Sequence, residues 1–294
     1  MGSEQYWKKA LERSEQALQI GALVPLSTSL ELVVGEADTK FELRTLESRL
    51  PKHLRREGPK PNPFSPWDEE LEVARPDSNH VLILNKYPVQ PGHMLLITTE
   101  WAAQNAWLSL SDWKSLVHVD NDTSGLWFFN SGPIAGASQP HRHLQLLPRK
   151  ENEKSCPRDL WFFRQITKQV KKEITTDPLI NSCSVVSRLI HNKNEDKNAL
   201  ELYKNYILLA ERLGIGNPCQ DESPKGFYNI LLTKEWMAMV TRRCEGAAGF
   251  SINGLGFAGY LLATANSDLA WLKKRGPEAL LRQVVPDISG NTVV

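Results

Sequence analysis

The sequence predicts an α+β fold, a mainly antiparallel sheet flanked by helices, and three observations carry that prediction. Strand-length apolar runs come in consecutive pairs joined by turn-forming residues. Helical periodicity is confined to separate stretches at the N-terminus, near the middle and after Pro148. Nowhere do strands and helices alternate with the regularity that a doubly wound parallel sheet requires.

Taken in order, Ser3 to Gly21 place Trp7, Leu11, Leu18 and Ile20 among Lys, Glu, Arg and Gln, which predicts an outer helix with one apolar stripe. Residues 51–66 are dense in proline and basic side chains, so a basic loop is predicted rather than a helix or central strand. His80 to Asn85 and His93 to Thr98 are apolar runs joined by Lys-Tyr-Pro-Val-Gln-Pro-Gly, the composition of a β-hairpin. A helix follows at Ser111 to Val119, then strand-like runs at Leu126 to Asn130 and His141 to Leu147 around the loop Ser131 to Pro140. Asp159 to Ile174 set Leu160, Phe163, Ile166, Val170 and Ile174 three or four apart, predicting a helix that carries them on one face. A second helix runs from Asn198 to Leu213 and stops at Gly214. Phe227 to Thr233 and Trp236 to Thr241 read as another hairpin across Lys234-Glu235, and the glycine-rich stretch Gly246 to Gly259 leads into a helical tail. The organisation expected is residues 1–50 as an N-terminal helix and strand extension, 51–150 as the core, and 151–294 as a C-terminal αβ region packed on that same core.

Composition narrows the function. Across 294 residues, 35 Lys and Arg face 34 Asp and Glu, a net charge of +1, so no global field draws in a nucleic acid or an anionic membrane and any polyanion must meet a local site. No apolar run reaches the roughly 18 residues of a membrane span, and the polar N-terminus lacks the apolar stretch of a signal peptide, which predicts a cytoplasmic protein. Cys156, Cys183, Cys219 and Cys244 are scattered without a CxxC pair, so reduced, separate thiols are expected rather than disulfides or a thiolate zinc site.

The segment richest in chemistry is His141-Arg-His143-Leu-Gln145. In a strand, His141, His143 and Gln145 stand on one side, about 6 to 7 Å per two residues, while Arg142, Leu144 and Leu146 point the other way. An HxH pair is also half of a zinc site in many β-proteins, and strand histidines are often core or surface residues, so the row alone does not choose among catalysis, metal binding and packing. The upstream loop Asn130-Ser-Gly-Pro-Ile-Ala-Gly-Ala-Ser138 adds small residues whose backbone N–H groups can approach an anion closely. Loop and row ask for the same phosphorylated ligand. Neutral imidazole, with an ordinary pKa of about 6.5, is a nucleophile near pH 7, but spacing does not say which ring attacks.

The loop and the HxHxQ row together resemble the histidine-triad (HIT) superfamily, in the branch where glutamine replaces the third histidine, shared by galactose-1-phosphate uridylyltransferases and diadenosine tetraphosphate (Ap4A) phosphorylases. The hairpin Leu84-Asn-Lys-Tyr-Pro-Val-Gln-Pro-Gly-His-Met-Leu-Leu-Ile97 is similar to that superfamily's first nucleotide-binding hairpin. Three further blocks, Pro61-Asn-Pro-Phe-Ser-Pro66, Tyr228-Asn-Ile-Leu-Leu-Thr-Lys-Glu-Trp236 and Ser251-Ile-Asn-Gly-Leu-Gly-Phe-Ala-Gly259, resemble the ATP adenylyltransferase, or Ap4A phosphorylase, family. The likeness spans roughly residues 50–275, and the metal-binding cysteines of the uridylyltransferases have no counterpart.

The resemblance implies a HIT-like fold and a nucleotidyltransferase that splits Ap4A with inorganic phosphate into ATP and ADP. It implies that the second histidine, His143, attacks the α-phosphorus and carries AMP covalently, with His141 as its orienting neighbour; Gln145 donates to a phosphoryl oxygen without titrating. By the same resemblance Asn130, Ser138 and the backbone of Ala137 contact phosphate and Asn85 binds the ribose hydroxyls. A tetraphosphate also needs cations, for which Lys52, Lys60, Arg142, Arg149 and Lys150 are candidates; Lys60, directly before the Pro61 block, is favoured. Phe64 either stacks on adenine or plugs a small apolar gap. His80 and His93 read as structural residues at strand ends, and Glu235, Arg242 and Arg243 have no role that the sequence explains. The expected ligands are Ap4A, ATP, ADP, AMP and phosphate, with Mg²⁺ accompanying the polyphosphate and no tightly bound cofactor. The competing readings are a hexose-1-phosphate nucleotidyltransferase, a dinucleoside polyphosphate hydrolase, a nucleotide sensor without catalysis, and a zinc enzyme built on HxH.

Overall fold

The computed structural model describes residues 3–47, 62–150, 153–171, 174–188 and 194–287. In chain order its elements are α1 (Gln5–Gln19), β1 (Thr28–Val34), β2 (Lys40–Leu46), β3 (Glu72–Ala74), β4 (His80–Leu84), β5 (Met94–Thr98), α2 (Leu110–Asp122), β6 (Gly125–Asn130), β7 (His143–Pro148), α3 (Asp159–Val170), α4 (Pro178–Asn181) and β8 (Cys183–Ser187). They continue with α5 (Glu195–Arg212), β9 (Phe227–Leu232), β10 (Trp236–Arg242), the two-residue pair β11 (Gly246–Ala247) and β12 (Phe250–Ser251), α6 (Gly254–Ala258), β13 (Tyr260–Ala263), α7 (Leu269–Arg275) and α8 (Pro277–Gln283). The fold is α+β. Eight strands form one sheet in the order β3-β4-β5-β7-β6-β9-β10-β8, every pair antiparallel. Both hairpins expected from the turn-forming residues form, β4 with β5 and β9 with β10. A smaller sheet, β1-β2-β13, has β13 parallel to β2.

Register assigns each face of the large sheet. Leu146, Trp127, Leu232 and Met237 lie opposite one another along one face, which packs on Trp113 and Leu116 of α2 and Tyr206 and Leu209 of α5. Gln145, Phe128, Leu231 and Ala238 lie along the other face, whose apolar part meets Phe162 of α3, Phe257 of α6, Leu280 and Leu281 of α8 and Phe41 and Leu43 of β2. Full burial of each such large apolar side chain contributes about 1.5–3 kcal/mol. The histidine row therefore stands on the face where a second layer of helices and the small sheet also pack.

Local chemistry sets the helix ends. A capping box, Ser109 with Asp112, starts α2, and Asn194 caps α5, which ends at Arg212 ahead of Gly214 at φ +67°. Wholly buried Asp120 of α2 accepts from Arg188 (2.6 Å), from Trp127 Nε1 (3.1 Å) and from Lys234, which explains the charged Lys234-Glu235 turn as a tie between α2 and the β9–β10 hairpin.

The helix expected from Asp159 forms as α3 and ends at Val170, and most of its apolar stripe faces outward. Leu160, Phe163, Val170 and Ile174 are exposed, and the buried positions are Phe162 and Gln165. Two anchors rotate the helix: Phe162 stacks on Trp236 at 4.2 Å between ring centroids, and Trp236 Nε1 donates to Asp159 Oδ1 at 2.6 Å. Its inner face is partly polar because it meets the sheet's open edge. The Gln169 amide donates to Cys183 O (3.0 Å) and accepts from Val185 N (3.1 Å), standing in for the strand that β8 lacks.

Candidate active site

His143 and Gln145 lie on β7, and His141, two residues before it, forms an isolated bridge with Ala103. The three are 3%, 9% and 0% exposed. Arg142 points to the opposite face, where Nη1 donates to Asp112 Oδ2 (2.9 Å) and Nη2 to Ala103 O (3.1 Å), so this candidate phosphate ligand is instead committed to a buried ion pair. Asp112 Oδ1 also accepts from His80 Nε2 (3.1 Å), and Asp77 lies 3.1 Å from the other ring nitrogen. Burial opposes a charge on His80, but the bond to Asp112 and the fields of Asp112 and Asp77 outweigh it and hold its pKa above the ordinary value. Ser115 Oγ sits 2.8 Å from His80 Nδ1, which gives Ser115, His80 and Asp112 the spacing of a hydrolytic triad. All three are 1% exposed, the Ser115 hydroxyl donates to Asp77, and Asp112 ties His80 to Arg142 on the back of the row.

What aims His143 is a residue that the sequence did not single out. The β6–β7 ladder runs as far as Phe128 opposite Gln145, and beyond it the amide of Gln104 inserts between the strands. Gln104 Nε2 donates to Asn130 O (2.7 Å) and His143 O (3.2 Å), and its Oε1 accepts from His143 N (2.8 Å). The imidazole is held too, by Nδ1–H donating to His141 O at 2.8 Å. That leaves Nε2 of His143 without a hydrogen-bond partner among the described residues. His141 differs: its Nε2–H donates to Thr98 O (2.9 Å), with Thr98 Oγ1 also at 2.9 Å, and its Nδ1 accepts from Asn62 Nδ2 (2.9 Å). Phe64, 5% exposed, forms a wall against both rings, with centroids 5.3 Å from His143 and 5.8 Å from His141. Trp101, 58% exposed, lies 5.3 Å from His141 at the rim.

Burial pushes the His143 pKa down to about 4, against the bond to His141 O. His93, equally buried, is also pushed down to about 4, against its bond to Gln145. Both rings are therefore neutral in the fold at pH 5 and above, whereas in the unfolded chain each takes up a proton near pH 6.5. Between pH 6.5 and 4 the unfolded state binds more protons, so stability falls on acidification, by up to about 3 kcal/mol per histidine. Urea unfolding midpoints are expected to decline steadily through that window; a midpoint that stays flat contradicts the assignment.

Two family models match the chain: Ap4A phosphorylase N-terminal domain over residues 1–160, and ATP adenylyltransferase C-terminal domain over residues 180–286. The chain belongs to the Ap4A phosphorylase/ATP adenylyltransferase family. Diadenosine 5',5'''-P1,P4-tetraphosphate phosphorylase 2 of Saccharomyces cerevisiae is 30% identical over 228 residues, covering 68% of each chain. Protein APA1 of the same yeast is 29% identical over 289 residues, covering 86% of this chain and 87% of its own. Among solved structures, yeast Ap4A phosphorylase Apa2 in complex with AMP aligns with a TM-score of 0.73 and 25% identity over 98% of this chain and all of its own. As a member of this family the protein is an enzyme, a nucleotidyltransferase. No helix among the described residues is long and apolar enough to cross a membrane.

The remaining site residues of this phosphorylase-family chain fall into distinct places. Asn85 sits at the end of the β4–β5 hairpin, where Oδ1 accepts from Tyr87 N (3.1 Å) and Nδ2 donates to His93 Nδ1 (3.1 Å). His93 Nε2 in turn donates to Gln145 Oε1 (3.1 Å), so this histidine belongs to the site as well as to the strand end. Asn130 Oδ1 accepts from Asn229 Nδ2 (2.8 Å) and Gly254 N (2.9 Å), which brings the two distal sequence blocks to the row. Arg242, unexplained by the sequence, is a buried hub. It donates to Asn229 Oδ1 (2.8 Å) and to the carbonyls of Ala135, Cys244, Glu245 and Ile252. Burial pulls its pKa down to about 10, which leaves it charged at neutral pH. Arg243 instead pairs at the surface with Asp287 (2.7 Å), and Glu235 contributes its backbone carbonyl to Arg188.

In the small-residue loop, the Ala137 N–H donates to Gly132 O (3.0 Å); the turn itself consumes that donor, so it does not project toward a ligand as expected. Ser138 is exposed. Gly136 has φ +85°, and a Cβ there would lie 2.7 Å from Asn253 Cβ and from Ile252 O. Gly136→Ala is therefore expected to destabilise the fold by about 2–3 kcal/mol, through both strain and clash, as read by urea denaturation. Arg149 is half-buried and held by neutral groups, Gln90 Oε1 (2.6 Å), Tyr260 OH (2.9 Å) and Pro148 O (2.8 Å), while Lys150 is exposed. Lys52 and the favoured Lys60 lie outside the described residues. Among the described residues there is no group of three or more His, Cys, Asp or Glu arranged to hold a metal ion.

Proposed function

We propose that the protein splits Ap4A with inorganic phosphate into ATP and ADP, and that His143 carries the AMP between the two half-reactions. The observation that supports this reading is the allocation of ring nitrogens. Both nitrogens of His141 are engaged by Thr98 and Asn62, whereas His143 keeps Nδ1–H on a carbonyl and, among the described residues, an uncommitted lone pair on Nε2. Burial keeps that lone pair unprotonated at neutral pH.

In the first half-reaction the Nε2 lone pair forms a P–N bond to the α-phosphorus as the P–O bond to the departing ATP breaks. The positive charge that develops on the ring is stabilised through Nδ1–H by the His141 carbonyl. ATP leaves as a phosphate anion and needs no proton. In the second, a phosphate oxygen attacks the same phosphorus, the P–N bond breaks, ADP departs and His143 returns to the neutral imidazole. Gln145 supplies a neutral donor to the phosphoryl oxygens.

Phosphate is favoured over water as acceptor because the groups bonded to the row are amides, a hydroxyl, carbonyls and the His93 imidazole, whose Nδ1 lone pair is already taken by Asn85, with no carboxylate among the described residues bonded to the row to take a proton from water. Inorganic phosphate already carries an anionic oxygen. Mg²⁺ would neutralise charge on the polyphosphate, and the described residues offer no cage for it, so phosphate oxygens would be its main ligands. The solved yeast relative was crystallised with AMP and with Ap4A, which supports the choice of nucleotide. The experiment is incubation with Ap4A and ³²P-labelled phosphate. Equimolar ATP and β-labelled ADP are expected; AMP without incorporated label would make the protein a hydrolase.

A further inference from the structure

Two hydrogen-bond chains end on the amides that flank His143, and each starts from a group that can only donate. The first runs from the backbone N–H of Tyr87 to Asn85 Oδ1 (3.1 Å), from Asn85 Nδ2 to His93 Nδ1 (3.1 Å), and from His93 Nε2 to Gln145 Oε1 (3.1 Å). The second runs from the Arg242 guanidinium to Asn229 Oδ1 (2.8 Å), and from Asn229 Nδ2, which also donates to Ala135 O (2.8 Å), to Asn130 Oδ1 (2.8 Å), where the backbone N–H of Gly254 adds a second donor (2.9 Å). Asn130, Asn229 and Arg242 are 1%, 0% and 5% exposed. Gln145 and Asn130 stand on neighbouring strands on the same face as His143, and the Gln104 amide joins the Asn130 and His143 carbonyls.

Neither a backbone N–H nor a guanidinium has an acceptor to offer, so the direction of every link is set from its origin. Each terminal amide must turn its oxygen toward the chain that feeds it. The NH₂ groups of Gln145 and Asn130 are then the ends left over, without partners among the described residues. We propose that His93 and Arg242 are positioning residues that lock Gln145 and Asn130 as donors to the phosphoryl oxygens during transfer to His143, a role that rests on the phosphorolytic reading above. A flipped amide would present an oxygen to an anionic phosphoryl group, and the locks prevent it. Burial also keeps the His93 ring neutral at the pH of turnover, which a one-way link through both of its nitrogens requires.

The direction of the first chain can be read without turnover. In ¹⁵N-histidine-labelled protein, long-range ¹H–¹⁵N correlation is expected to show His93 as the Nε2–H tautomer from pH 6 to 9; the Nδ1–H tautomer would reverse the chain and overturn the proposal. This readout stands whether or not Ap4A is phosphorolysed, so it separates failure of the relay from failure of the functional reading.

Kinetics test the consequence. H93L is expected to lower kcat by about tenfold or more with KM little changed, and H93Q, whose amide replaces the ring donor, is expected to recover most of the loss. In a Q145A background H93L should cost almost nothing further, because the amide it positions is gone. For the second chain, N229D keeps the shape and still accepts from Arg242, but it no longer donates to Asn130 or to Ala135 O and turns a carboxylate oxygen toward Asn130 Oδ1. It should lower kcat alone and not in an N130A background. Full activity in H93L and N229D, or equal losses with and without the terminal amides, would overturn the proposal; melting temperatures identify any variant that fails to fold.

Discussion

Replacing His143 by alanine is expected to reduce the rate of Ap4A phosphorolysis by about 10⁴-fold or more, the scale seen when a covalent nucleophile is removed and the binding and oxyanion donors remain. The size follows from where the lone pair lies. His141 cannot substitute, because Thr98 and Asn62 hold both of its ring nitrogens and its Nε2 is turned toward the Thr98 carbonyl. Loss of the ring also removes the Nδ1–H bond to His141 O and opens space against Phe64, so a modest drop in stability accompanies the loss of turnover. Product quantification of ATP and ADP, with circular dichroism to verify the fold, checks it. Retention of more than about a hundredth of the activity would be incompatible with a nucleophile at this position.

The second large effect lies at Gln104. Its side chain is 2% exposed and replaces a missing rung between β6 and β7, so Gln104→Ala leaves the His143 N–H without its partner and strips donors from two carbonyls. Stability is expected to fall by about 2–3 kcal/mol. The functional consequence should be larger, about 10²-fold in kcat with KM nearly unchanged, because the backbone that aims the imidazole loses its fixed position while the nucleotide-binding groups stay in place. Steady-state kinetics against Ap4A at saturating phosphate reads this split directly; a rise in KM with kcat intact would place Gln104 in substrate binding instead.

These two residues mark the boundary of what local sequence patterns reveal. The row His141, His143 and Gln145 was legible because strand alternation has a period of two and because a small-residue loop precedes it. Both hairpins were legible from their turn residues. Gln104 was not, because an isolated glutamine in a connecting segment carries no periodic signal and becomes meaningful only when β6 and β7 splay around it. His93 faces Gln145 through the pairing of β5 with β7, Leu95 opposite Gln145, which no local pattern encodes. Arg242 and Asn229 reach Asn130 across a hundred residues of chain for the same reason. For α3 the apolar spacing identified the helix but not the face it buries, because a count of spacings cannot know that the helix covers an open sheet edge, where the amide of Gln169 bonds the exposed backbone of β8. Ala137 illustrates a different limit: its backbone donor exists, but whether the turn or a ligand uses it depends on dihedral angles set by Gly132 and Gly136.

The most direct measurement is a trap of the intermediate. The enzyme is mixed with Ap4A labelled at the α-phosphorus in phosphate-free buffer, quenched within one turnover and digested. The account predicts acid-labile label on the peptide containing His143, approaching one AMP per active site, and its transfer to ADP on adding phosphate at least as fast as kcat. Steady phosphorolysis by an enzyme that never carries label on that peptide would contradict it.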